Sequence, residues 1–189
     1  MALVTTPTTA DAEPLTIQEA MTHLRLTEPA HNTEVSALVA AARDYCERQS
    51  NRTLRLNVER VLKTDEWACG CVKLPWPPLI SVAIEYYDED DVLQELDEEL
   101  YEVELSTDGF GVVRWVDSTS LPTLAERHDA VQYTFITGYA TIEEVPPTAV
   151  QAVKTKLTEL WGSGTENEIK AAERCTDRLL STVDMTGYA

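Results

Sequence analysis

The chain has 189 residues, with 33 Asp and Glu against 15 Lys and Arg, a net charge of −18 and a pI of about 4.4. So acidic a surface lacks the cations that displace counterions from phosphates, which excludes a duplex-gripping nucleic-acid binder, and anionic lipid repels it as well. The acid excess fits either solubility at high concentration or the lining of a passage that DNA must cross without sticking.

Hydrophobic residues at 43% and charged residues at 25% are ordinary for a globular chain, and this length supports a sizeable core without staples. The opening MALVTTPTTADAEP has neither a basic n-region nor an apolar h-region, so no secretory leader is expected. No stretch approaches the roughly 18 apolar residues of a bilayer helix, and no membrane partner is expected. Cys46, Cys69, Cys71 and Cys175 are too few to form a disulfide framework, which points to a cytosolic chain with reduced thiols.

Residues 1–14 are Thr-, Pro- and Ala-rich and read as a flexible arm. Thr16 and Glu19 then stand at capping-box spacing, with Leu15 and Ala20 at staple positions. The first helix carries Ile17, Ala20, Met21 and Leu24 on one face and ends near Leu26, before Glu28-Pro29. Asn32 is the expected cap of a longer second helix reaching Asn51, whose apolar face is Val35, Leu38, Val39, Ala42 and Cys46.

From Thr53 the period changes to near alternation: Leu54, Leu56, Val58 and Val61 read as a half-buried strand. Val72–Leu74 is a short strand stopped by Pro75-Trp76-Pro77-Pro78, and Leu79–Tyr87 is the strongest strand in the chain. Asp88-Glu89-Asp90-Asp91 reads as a hairpin turn. Tyr101–Leu105, Val112–Val116 and Val131–Thr137 complete a small antiparallel sheet. Pro146-Pro147 opens a third helix with Val150, Val153, Leu157, Leu160 and Trp161 on its face, ended by Gly162-Ser163-Gly164. A fourth helix starts near Asn167 and carries Ile169, Ala172, Thr176, Leu179, Leu180 and Val183.

The expected architecture is therefore α+β: a four-helix bundle-like core with a small antiparallel sheet inserted between helices 2 and 3. A single domain spans 15–180, helical over 15–52 and 146–180 and β over 53–140, and 181–189 is a tail.

Glu85 to Glu104 contains eleven carboxylates and no Lys or Arg. Paired carboxylates can bind divalent cations, but Asp88–Asp91 lacks the glycine and distal Glu of a calcium loop, and a solvated hairpin face is the better reading. Cys69-Gly70-Cys71 has no second ligand pair at zinc spacing, so two incidental thiols in a loop are expected. There is no G-x-S-x-G, glycine-rich phosphate loop or H-E-x-x-H. No catalytic residue, metal or cofactor is expected. Trp67 and Trp76 read equally as exposed partner anchors or as core fillers under a loop.

Four segments, in order, carry a resemblance. The first opens Leu15-Thr16-Ile17-Gln18-Glu19-Ala20, reaches His23-Leu24-Arg25, continues through Leu38–Glu47 and ends Asn51-Arg52-Thr53-Leu54. The second is Leu74-Pro75-Trp76-Pro77-Pro78-Leu79-Ile80-Ser81-Val82 with Tyr86–Asp90. The third is Val131–Tyr139 followed by Val145-Pro146-Pro147, and the last is Asp177-Arg178-Leu179-Leu180-Ser181. Together they resemble the tailed-phage head–tail connector (adaptor) family, in its longer branch with a sheet inserted in the helical bundle. A gene transfer agent, which uses the same neck parts, is equally compatible.

The resemblance implies a non-enzymatic virion protein of the neck, present in the host cytoplasm during assembly. About twelve copies would form a ring under the portal by heterologous contacts. The partners it implies are other copies, the portal protein, a tail-side stopper or tail terminator, and genomic DNA passing through without specific binding. By similarity the portal-facing residues are Leu179, Leu180, Ser181, Val183, Met185 and Tyr188. Relatives often carry Pro and Arg after the Leu-Leu-Ser, where this chain has Thr182, Val183 and Asp184. They also often have Gly where Asp91 stands. Asp88, Glu89, Asp90, Asp91, Glu95, Asp97, Glu98 and Glu99 are the expected acidic channel or inter-subunit face. The alternative is an acidic interaction module or DNA mimic that binds a basic host factor; a third reading is a small hydrolase holding a metal at Asp88–Asp91.

Overall fold

The computed structural model describes residues 2–5, 13–107, 109–117, 120–162 and 165–183. The chain divides into two compact units, a sheet unit of Met1–Ala10 with Asn57–Gly138 and a helical unit of Asp11–Leu56 with Tyr139–Ala189.

The helical unit contains α1 (Ile17–His23), α2 (Asn32–Ser50), α3 (Pro147–Trp161) and α4 (Glu166–Val183). The capping box expected at Thr16 is formed. The Glu19 N–H donates to Thr16 Oγ1 at 3.2 Å, and the Thr16 N–H donates to Glu19 Oε2 at 3.0 Å. Thr16→Ala is expected to cost about 1 kcal/mol, read as a lower urea midpoint at an unchanged slope. Asn32 does not cap α2. It is the helix's first residue, and His31 takes the cap position at the end of a 3-10 turn, Pro29–His31.

α2 ends at Asn51, in the left-handed region at φ 50°, and α3 ends at Gly162, at φ 68°. The buried face of α2 (Val35, Val39, Ala42, Cys46) belongs to one core with Ala149, Ala152, Val153 and Leu157 of α3 and Leu180 of α4; Leu15, Ala20, Met21, Leu54 and Val145 complete it. Burial pushes the Cys46 thiol up to about 12, so it packs as a small apolar group.

An ion network lies on the buried side of α2, beside its apolar face. Buried Arg43 donates through Nη1 to Glu47 Oε2 at 2.7 Å and through Nε to Glu13 Oε2 at 2.9 Å. The other oxygen of Glu47 accepts the backbone N–H of Leu54 at 2.7 Å and of Arg55 at 3.3 Å. Burial opposes the guanidinium charge, yet the two carboxylates outweigh it and hold the Arg43 pKa above its ordinary value. Glu47 therefore fixes the path of the chain after α2.

The sheet unit contains β1 (Ala2–Thr5), β2 (Val58–Thr64), β3 (Cys71–Lys73), β4 (Leu79–Tyr87), β5 (Leu93–Glu95), β6 (Tyr101–Leu105), β7 (Gly111–Trp115) and β8 (Val131–Thr137). They form a five-stranded sheet in the order β1-β2-β8-β4-β5 and a three-stranded sheet in the order β3-β7-β6, with every pairing antiparallel. β8 is central and alternates strictly: Val131, Tyr133, Phe135 and Thr137 are buried, and the residues between them are half-buried. Its buried aromatics share a core with Leu62, Ile84, Val72, Leu74 and Val113.

The structure corrects the expected architecture in several places. The class is α+β, but the β structure is not one sheet confined between helices 2 and 3. It forms two sheets, and β1, inside the supposed flexible arm, pairs with β2 ahead of α1. The rest of that arm, residues 6–12, lies outside the described residues. The bundle is also uneven: α1 has 7 residues, whereas α2, α3 and α4 have 19, 15 and 18. Leu54, read as the start of a strand, is buried in the helical core, and β2 begins only at Val58. Ser181–Val183, assigned to a tail, continue α4.

Candidate functional site

The acidic run spans the β4–β5 hairpin and its exit into β6, and its carboxylates have separate jobs. Asp88 Oδ1 accepts the N–H of Asp90 at 3.1 Å and of Val92 at 3.0 Å, while Oδ2 accepts the Gln94 side-chain amide at 2.9 Å. The residue is the internal brace of the turn. Asp91 adopts φ 60°, the left-handed conformation glycine takes at no cost, and its carboxylate receives Arg127 Nη1 at 2.7 Å. Asp97 caps a 3-10 turn, Glu98–Leu100, by accepting the Glu99 N–H. Glu89, Asp90, Glu95, Glu98 and Glu99 are exposed, and Glu95 lies directly opposite Glu85 across the β4–β5 pair. Among the described residues no group of three or more His, Cys, Asp or Glu is placed to hold a metal ion.

Donation from the Val92 backbone N–H, the Gln94 amide and the Asp90 N–H holds the Asp88 carboxyl below its ordinary range. A depressed folded value favours the ordered turn above the ordinary carboxylate pKa and stops doing so as pH falls through the folded one. The Asp90 and Val92 amides should therefore be protected from exchange at neutral pH and lose protection at acid pH. Asp88→Asn should flatten that dependence, as followed by amide exchange.

The charge is unevenly shared. The sheet unit holds 18 Asp and Glu against 5 Lys and Arg, and the helical unit 15 against 10.

Of the residues expected at the portal, three have described side chains. Leu180 is buried in the helical core, Leu179 packs against that core half-buried, and Ser181 is exposed. Val183 closes α4 with its side chain outside the described set, and Met185 and Tyr188 lie outside the described residues.

The two tryptophans left open are both engaged. Trp67 meets Tyr86 at a tilt and Trp115 edge to face, at centroid distances of 5.6 and 5.4 Å, and its indole N–H donates to the Pro122 carbonyl at 2.8 Å. Trp76 lies under the Arg60 guanidinium, 4.9 Å from the ring centroid. Cys69 and Cys71 are exposed at the start of β3.

One surface escaped the sequence reading. A groove of about 440 Å³ is lined by Leu79, Ile80, Ser81 and Val82 of β4, by Glu98, and by Tyr101, Val103 and Leu105 of β6. The signal was present: in Tyr101-Glu102-Val103-Glu104-Leu105 every second residue is apolar, which puts three of them on one face.

No family model and no curated protein matches the chain. Solved structures do. The whole chain shares its fold with particle-neck chains. A chain from the neck of an empty GTA particle computed with C6 symmetry superposes with a TM-score of 0.76 at 17% identity, covering 100% of this chain and 98% of that one. A chain from the virion of a native gene transfer agent particle gives 0.74 at 18%, and one from the neck of the native particle computed with C12 symmetry gives 0.72 at 16%, with the same coverage. At such identity the likeness is one of fold, and it takes in both units of this chain.

Proposed function

We propose that this chain is a structural, non-enzymatic head–tail connector: a neck subunit that forms a ring under the portal and extends the DNA channel toward the tail. The observation that carries this reading is the end-to-end fold match, 100% of this chain against 98% of a neck chain, with no domain left over on either side. Neck maps computed with C6 and C12 symmetry are consistent with a ring of copies, each presenting two different flanks to its neighbours. The excess of carboxylates in the sheet unit supports a conduit role, because a channel lined by like charge gives passing DNA no place to condense. On this reading Asp88–Asp91 and Glu95–Glu99 contribute to the channel or to the flank between copies. The end of α4 and the tail after it face the portal, with exposed Ser181 and the segment from Val183 onward in place of buried Leu180. Localisation is then the virion neck, with the host cytoplasm as the site of assembly.

The test is assembly. The purified chain mixed with portal-bearing heads that lack it should decorate the portal vertex as a ring, seen by negative-stain microscopy, and should restore attachment of tails. A chain that stays off the vertex and instead inhibits a DNA-binding enzyme would transfer the assignment to an acidic DNA mimic.

A further inference from the structure

The β4–β6 groove is bordered by two strand edges. β5 pairs with β4 only along Glu85–Tyr87, so the first half of β4 has a strand partner on the β8 side alone. β6 is the outer strand of its sheet, paired with β7 on one side only. Between them the groove presents large apolar side chains to solvent: Ile80 is 42% exposed, Val103 41% and Leu105 63%. Open strand edges are normally guarded by charge, short length or cover. On β6 the guard is Glu102 and Glu104, which point to the face opposite Val103 and Leu105.

That alternation specifies an occupant. A strand added along β6 places every second side chain beside Val103 and Leu105 and the ones between beside Glu102 and Glu104. We propose that the β6 edge is a docking site for an extended segment of a partner protein whose alternate residues are apolar and whose intervening residues are Lys or Arg. The surroundings fit such a strand: Glu95, Asp97, Glu98 and Glu99 run into β6, and Glu102 is exposed, while Glu104 already receives Arg114 Nε of β7 at 2.7 Å. A second copy of this chain is a poor occupant, because its sheet unit brings 18 further carboxylates and only 5 cations. The acids that keep copies from pairing edge to edge attract a basic strand. This inference does not depend on the neck assignment.

A fluorescein-labelled Lys-Val-Lys-Val-Lys-Val-Lys peptide, titrated with the full chain and followed by anisotropy, tests it. Saturable binding is expected, weaker in high salt, and lost when alternate backbone amides of the peptide are N-methylated. The double variant Val103→Arg/Leu105→Arg should weaken it by about tenfold or more. Both positions are solvent-facing, so the variant should keep the wild-type circular dichroism and melting curve. As an independent reading, peptide binding should slow amide exchange along Tyr101–Leu105 in the wild type. The proposal is overturned by equal binding of the N-methylated peptide or by the variant, which would mean unspecific attraction to the acidic run. It is overturned too if no saturable binding occurs, or if sedimentation shows the wild type self-associating through this edge and the variant monomeric.

Discussion

Glu47→Ala should lower the stability of the helical unit by about 3–5 kcal/mol, the range for removing one partner of a buried ion pair. One carboxylate does two tasks there. Oε2 compensates the buried Arg43 guanidinium, and Oε1 takes the Leu54 and Arg55 amides as the chain leaves α2. Alanine leaves a buried cation with Glu13 alone and two amides without their acceptor. Glu47→Gln keeps an oxygen for those amides and should lose distinctly less. A melting temperature lowered by about 10 °C for the alanine variant is the expected reading. A shift within error would show that the network contributes nothing to stability.

Phe135→Ala should be comparably damaging in the sheet unit. The side chain is fully buried on the central strand, between β2 and β4. Truncation of a buried phenylalanine removes its transfer free energy and leaves a cavity, costing about 3–5 kcal/mol. Denaturation midpoints measure the total. Amide exchange should locate the loss in β2, β4 and β8, where the cavity opens, and exchange unchanged in those strands would contradict the assigned core.

The helices were legible in the sequence because their period is local. Val35, Val39, Ala42 and Cys46 declare the buried face of α2 by spacing alone, and Thr16 with Glu19 declares the start of α1. The central strands were legible for the same reason, β8 most clearly. What escaped depends on remote partners. β1 and β5 are four and three residues long, and each exists through pairing with a distant or turn-linked strand rather than through its composition. Leu54 looked like a strand residue because alternation does not reveal a buried carboxylate waiting at the end of α2.

At the candidate site the acid run was visible, but its division of labour was not. Asp88 and Asp97 are turn braces, and Asp91 is held by Arg127. Leu180, portal-facing by similarity, is buried with Thr176 on one side of α4, the face on which the helix period had already grouped them. The groove at β6 was missed because an edge strand is recognised only when its missing neighbour is seen.

The interleaved make-up of the two units has a consequence for synthesis. Emerging from the ribosome, the chain delivers β1 first, then α1 and α2, and completes the sheet unit only when β8 appears. Until residues 139–183 follow, the apolar faces of α1 and α2 lack their α3 and α4 cover. The nascent polypeptide thus finishes the sheet unit before the helical one and carries an uncovered helical pair through most of translation, the interval in which a chaperone would be needed.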